Sequence, residues 1–124
     1  MIGIAIFMLL MGAGIVSIWA MDMAKGKFGS KYRFFSWTND GGDLMWPHIM
    51  AEYITAACLI ASGIAIFLNL SWFYPFTLIS LGALFYTSLN SLSWVFADQT
   101  RLPYGIPMMV ALAGSAIAIV VLVI

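Results

Sequence analysis

Residues 53–97 read YITAACLIASGIAIFLNLSWFYPFTLISLGALFYTSLNSLSWVFA, 45 positions without a single Asp, Glu, Lys or Arg. A helix crosses a hydrocarbon core of about 30 Å with about 20 residues, so this stretch is long enough for two crossings and a turn. Asn69, Ser71 and Pro75 mark the turn, and Trp72, Phe73 and Tyr74 beside it form an aromatic belt of the kind that sits at a membrane interface. The run is continuously apolar rather than alternating, which selects helices over barrel strands.

Working outward, residues 1–21 and 102–124 are also free of charge. The pattern predicts an all-α membrane protein, an up-down four-transmembrane-helix bundle occupying residues 1–124 as one domain. Its helices are expected at about 2–21, 47–68, 73–96 and 104–123, with a loop over 22–46 lying at the interface. Pro47 suits the first turn of the second helix, where a missing N–H costs nothing, and Pro103 and Pro107 bracket the start of the fourth. The first helix has no basic leader and no small-residue cleavage site, so it is expected to stay in place as a span.

Composition agrees. The chain is 64% hydrophobic and 8% charged, with mean hydropathy +1.04. Soluble domains carry about 25% charged residues because a wet surface needs them. A soluble enzyme, a nucleic-acid binder and a disordered chain are therefore excluded together, and membrane lipids become the expected surroundings. All five Lys and Arg lie in two loops: Lys25, Lys27, Lys31 and Arg33 in 22–46, and Arg101 in 97–103. An even number of crossings puts both loops on one side. The positive-inside rule then predicts a multi-pass protein of the cell membrane with those loops cytoplasmic and both termini outside.

Small residues predict where helices approach one another. The second helix carries Ala57, Ala61 and Ala65, and the fourth carries Ala111 with Ser115 and Gly114 with Ala118. The first carries Gly12, Ala13, Gly14 and Ser17. The long loop mixes bases with Phe28, Tyr32, Phe34, Phe35 and Trp37, which suits attraction to anionic headgroups. A turn is expected over 39–43, without the ligand spacing of a calcium loop.

Glu52 is the side chain hardest to reconcile with a purely structural span, because intramembrane carboxylates are rare and costly. His48, four residues earlier, shares its face, and Thr55 continues that face. On the third helix Asp98 lies at the mouth, with Trp94, Ser91, Asn90 and Thr87 successively deeper. At 1.5 Å per residue Glu52 and Asn90 come to about the same depth, roughly 8 Å in, so Glu52 is expected to face the bundle interior and contact the third helix near Thr87–Ser91, hydrogen-bonded to Asn90 or His48. Ser17 and Asp22 from the first helix and Tyr104 from the fourth are placed near the same end. His48, Glu52, Thr55, Thr87, Asn90, Ser91 and Asp98 are thus the candidate ligand-binding cluster, as structural glue or as a pocket for a polar head or a proton.

No metal site is expected. His48 and Glu52 supply two ligands where zinc wants three or four, and the methionines near the mouth are ordinary filler as well as candidate copper(I) ligands. One histidine excludes bis-histidine haem ligation within the chain. No phosphate loop, dinucleotide glycine fingerprint or Ser-His-Asp pattern is present, so no cofactor is identified and no catalytic residue assigned.

The stretch His48-Ile49-Met50-Ala51-Glu52-Tyr53-Ile54-Thr55-Ala56, the following Ser62-Gly63 and the segment Leu84-Phe85-Tyr86-Thr87-Ser88-Leu89-Asn90-Ser91 resemble small uncharacterised four-helix membrane proteins of bacteria and archaea, loosely of the DoxX-like kind. That resemblance implies a four-helix prokaryotic membrane subunit, and some such proteins work beside redox partners. With so little mass outside the membrane and no complete catalytic set, the leading expectation is a non-enzymatic accessory or structural subunit of a larger membrane complex, with protein partners or as a homo-oligomer. The first alternative is a stand-alone binding protein or enzyme for a lipid-like or quinone-like molecule, using a Glu52/His48 pocket. The second is a small oligomeric transporter.

Overall fold

An apolar run that cannot bond its backbone to water must bond it internally, and a helix does so within one segment. The computed structural model describes residues 1–24, 45–97 and 99–124. They form helices α1 (Ile2–Ala24), α2 (Met45–Phe67), α3 (Phe73–Ala97) and α4 (Leu102–Val123), with a single 3-10 turn, Gln99–Arg101, before α4. All four helices are long and apolar enough to cross a membrane. The protein is an all-α four-helix bundle. The expected interfacial loop with its bases, aromatics and turn, and Asp98, lie outside the described residues.

The boundaries differ from the expected ones in instructive places. α1 runs on past Met21 to Ala24, because Asp22 turns inward and is buried rather than ending the helix. α2 begins two residues before Pro47, which leaves the proline in the first turn. α4 begins at Leu102, so Pro103 lies within its first turn and Pro107 inside the helix. Between α2 and α3 Asn69 takes the left-handed conformation (φ 52°). Its N–H reaches the Ile66 carbonyl and the Leu70 N–H the Ala65 carbonyl, both at 3.1 Å, the pair of bonds that closes a helix end of this kind. At the same end the Tyr74 hydroxyl donates to the Leu122 carbonyl at 2.8 Å, satisfying one of the last carbonyls of α4.

Chain neighbours pack along three seams, α1–α2, α2–α3 and α3–α4, while α1 and α4 touch only lightly. The α1–α2 seam is set by two reciprocal glycines. A Cβ on Gly12 would lie 3.0 Å from the Ala56 carbonyl oxygen, and one on Gly63 would lie 3.1 Å from that of Ala5. The expected Ala57–Ala61–Ala65 stripe is not this seam, since Ala57 is exposed and Ala61 half-buried. α2 sits between two neighbours, so its buried face is the broader band that includes Glu52, Thr55, Ala56, Leu59, Ser62 and Ile66. On α4 the small residues Ala111, Ser115 and Ala118 are buried as their spacing suggests.

The core is built from Met8, Leu59, Leu81 and Leu84 with Ala5, Ala56, Ala111 and Ala118. Large apolar side chains such as Ile54, Ile79, Ile117 and Val121 face outward, as a lipid-facing surface requires. The half of the bundle near Asn69 is less apolar inside than its sequence suggests. Ser62 and Ser80 share a hydrogen bond at 2.8 Å, and Ser115 bonds the Leu112 carbonyl at 2.9 Å. The Thr77 hydroxyl is buried with no hydrogen-bond partner among the described residues.

Candidate functional site

Four chain segments meet at the other end of the bundle: the last turns of α1 and α3 and the first turns of α2 and α4. Pro47 lies in the first turn of α2 there, and the four-residue spacing puts His48 and Glu52 on its inner face, 8% and 3% exposed. α3 runs antiparallel and brings Ser91 to the same level. The Ser91 hydroxyl donates to Glu52 Oε1 at 2.5 Å. From α1 the Trp19 indole N–H donates to Glu52 Oε2, also at 2.5 Å. His48 Nε2 lies 3.1 Å from Ser91 Oγ and 3.3 Å from Glu52 Oε1, and its Nδ1 lies 3.3 Å from the Asn90 side-chain nitrogen.

The directions of these bonds form one consistent chain. An amide nitrogen only donates, so His48 Nδ1 accepts from Asn90 and the ring proton sits on Nε2. That proton points at Ser91 Oγ and Glu52 Oε1, and the Ser91 hydroxyl passes its own proton on toward Glu52. The indole N–H is also a donor only. Every partner therefore donates toward the carboxyl group, which suits an acceptor-only carboxylate. The Trp19 ring packs edge-on to His48, with centroids 6.1 Å apart at 80°, which holds the imidazole plane in place.

Of the expected cluster, the structure brings His48, Glu52, Asn90 and Ser91 together. Glu52 meets the third helix within the expected 87–91 stretch, at Ser91, and has His48 beside it, while Asn90 bonds His48 rather than the carboxyl group. One residue is a turn of about 100° on a helix, so equal depth left open which of two successive side chains faces the carboxyl. Thr55 is buried but bonds the Ala51 carbonyl of its own helix at 2.8 Å, and Thr87 bonds Leu84 O at 3.2 Å. Ser17 is exposed and bonds Ala13 O, so it takes no part. Asp98 cannot be placed, lying outside the described residues. Among those residues no three His, Cys, Asp or Glu side chains gather in the manner of a metal site.

Trp19 was missed by sequence reasoning. The signal was there, since Ala5, Met8, Gly12, Ile15, Trp19 and Asp22 recur at intervals of three and four, one helical face. At the rim Asp22 accepts from the Tyr104 hydroxyl at 2.8 and 3.1 Å, tying α1 to α4. The Arg101 guanidinium stands over the Trp94 ring, 5.4 Å from its centroid.

α1 and α4 meet a second time where Gly114 lies under the Phe7 ring; a Cβ there would be 2.5 Å from the ring edge. Between that contact and the Asp22–Tyr104 tie the two helices separate. The gap is a crevice with about 380 Å³ of empty space, its open mouth included. Gly14, Ile15 and Ile18 form one wall, and Pro107, Met108 and Ala111 the other. Glu52, Leu84, Thr87 and Ser88 form the floor. The lining surface is almost wholly apolar, and the space that the centre of a water-sized sphere can reach within the crevice is about 50 Å³, well below the roughly 300–1,000 Å³ of ligand pockets.

Comparison with known proteins adds a family and no activity. Neither a curated protein nor a solved structure matches the chain. A family model described as Domain of unknown function (DUF8058) matches residues 2–124, and the chain belongs to that family.

Proposed function

We propose that the protein is a stand-alone membrane-embedded binding protein for a lipid-like amphiphile. The chain of the ligand lies in the α1–α4 crevice and its polar end reaches Glu52. One observation carries this: the single ionisable side chain among the residues lining an apolar crevice is a carboxyl group that other helices orient. The reading extends to a cell-membrane protein with N-out, C-out topology, the crevice lying nearer the cytoplasmic side.

An accessory-subunit role is the second proposal. It is supported by the inward closure of the hydrogen-bonded cluster, which leaves little of Glu52 or His48 exposed. One purification in mild detergent separates the two. A bound amphiphile detected by native mass spectrometry, and lost in a Gly14→Leu variant that fills the crevice, supports the binding protein. Stoichiometric companion proteins with no retained amphiphile would replace it with the accessory subunit.

A further inference from the structure

The chain has one histidine and one glutamate, and the fold sets them against each other. His48 Nε2 lies 3.3 Å from Glu52 Oε1, and both side chains are buried. Two titratable groups in such contact titrate as a pair, and a proton taken up belongs to the pair before it belongs to either residue.

The groups around the pair decide whether its charge can change in place. In an apolar interior such a change is costly unless nearby dipoles turn to meet it. Ser91 and Asn90, successive on α3, are both able to turn. A hydroxyl has one proton and two lone pairs, and a side-chain amide has a carbonyl oxygen and an NH2. With Glu52 ionised, the Ser91 hydroxyl donates to Oε1. With a proton on Oε1 the same bond runs the other way. Ser91 Oγ then accepts from the carboxylic acid and from His48 Nε2–H, 3.1 Å away, and its own proton turns to a carbonyl of α3, as the Thr87 proton does. With protons on both imidazole nitrogens, a half-turn of the Asn90 amide puts its oxygen where its nitrogen stands, 3.3 Å from Nδ1. Neither change moves a helix. Trp19 differs, because an indole N–H only donates: it keeps Oε2 an acceptor in every state and leaves Oε1 as the oxygen that takes the proton.

The other titratable groups at this end have partners of their own. Asp22 on α1 accepts from Tyr104 on α4, Tyr53 on α2 donates to the Met23 sulfur, and Arg101 stands over Trp94. α3 carries no Asp, Glu, Lys, Arg or His, and its Tyr86 faces outward. His48 is one turn nearer the end of the bundle than Glu52, and Asn90 beside it is half-buried, so the way in for a proton is from that end.

We propose that His48 and Glu52 form a proton-binding site: the pair takes up one proton from the side of the membrane on which α2 begins, and Ser91 and Asn90 turn to admit it. The site needs no ligand in the α1–α4 crevice, so it stands or falls apart from the binding role proposed above.

Because each amino acid occurs once, isotope labels on histidine and glutamate report this site alone. The full chain is made by cell-free synthesis with both labels, reconstituted in lipid bilayers and followed by solid-state NMR from about pH 5 to about pH 8, where imidazole charge changes. The imidazole nitrogens and the Glu52 carboxyl carbon are expected to change together, at one midpoint. In Glu52→Gln the His48 midpoint should move by about one pH unit or more, the size of coupling that makes two groups titrate as one. Ser91→Ala keeps the pair and removes the hydroxyl that reverses, so the common midpoint should move, and Ser91→Thr should bring it back. If a variant does not fold, the common midpoint of the unaltered protein decides alone. Signals constant across the range, a His48 midpoint that the carboxyl carbon does not share, or one that Glu52→Gln leaves in place would each overturn the site. A midpoint indifferent to Ser91→Ala would overturn the turning hydroxyl.

Discussion

Replacing Glu52 tests whether its hydrogen bonds are made as described. In Glu52→Leu the Trp19 N–H and the Ser91 hydroxyl both lose their carboxylate acceptor. Ser91 can recover by turning to a carbonyl of its own helix, as Thr87 does. The indole is held by the packing of α1 and cannot. An acceptor lost by a buried donor costs about 1–3 kcal/mol, and interhelical bonds in bilayers average nearer 0.6 kcal/mol. The sum comes to about 2 kcal/mol, reduced somewhat because a carboxylate no longer has to be desolvated. Glu52→Gln is different. Its amide oxygen can face the indole while its NH2 faces Ser91, whose oxygen accepts as readily as it donates. The cost should be about 0.5–1 kcal/mol, paid mainly in turning the imidazole and the Asn90 amide. Trp19→Phe should cost about 1 kcal/mol and, combined with Glu52→Leu, should fall short of additivity by a similar amount. Unfolding of the unaltered protein and these four variants in bicelles, by steric trapping or by titration with sodium dodecyl sulfate, measures all of these. Equal loss for the Gln and Leu variants, or full additivity of Trp19→Phe with Glu52→Leu, would refute the described geometry.

Three further expectations follow from other parts of the molecule. Gly12→Ala and Gly63→Ala each press a Cβ against a backbone carbonyl across the α1–α2 seam and should each destabilise the bundle by about 1–3 kcal/mol, whereas Gly14→Ala should change it little; the same bicelle unfolding ranks them. Thr77→Val keeps the side-chain shape and removes a buried hydroxyl with no described partner, so it should stabilise by about 1 kcal/mol, and a loss of stability would show that the hydroxyl is bonded. In a Cys58→Ala background, a cysteine introduced next to Lys27 should resist a membrane-impermeant maleimide in intact cells and react after lysis; labelling from outside would reverse the proposed topology.

Sequence alone determined what depends on composition along the chain. Charge-free runs of sufficient length must be helices in lipid, because each residue has to bond its own backbone, and this was legible before any packing was known. The same logic marked Glu52 as the group needing partners and put them at one end, since antiparallel helices return to matching depth. The structure decided what depends on rotation about each helix axis. Whether Asn90 or Ser91 meets the carboxyl, whether Ala57 or Ala56 faces α1, and whether Thr55 turns to a neighbour or to its own backbone are differences of about 100°, which depth along the chain does not resolve. Trp19 entered for the same reason: its apolar ring read as one more span residue until the helix angle aimed its N–H at Glu52. The crevice is tertiary altogether. It lies between two places where α1 and α4 meet, at Phe7–Gly114 and at Asp22–Tyr104, and no property of either helix taken singly requires them to part in between.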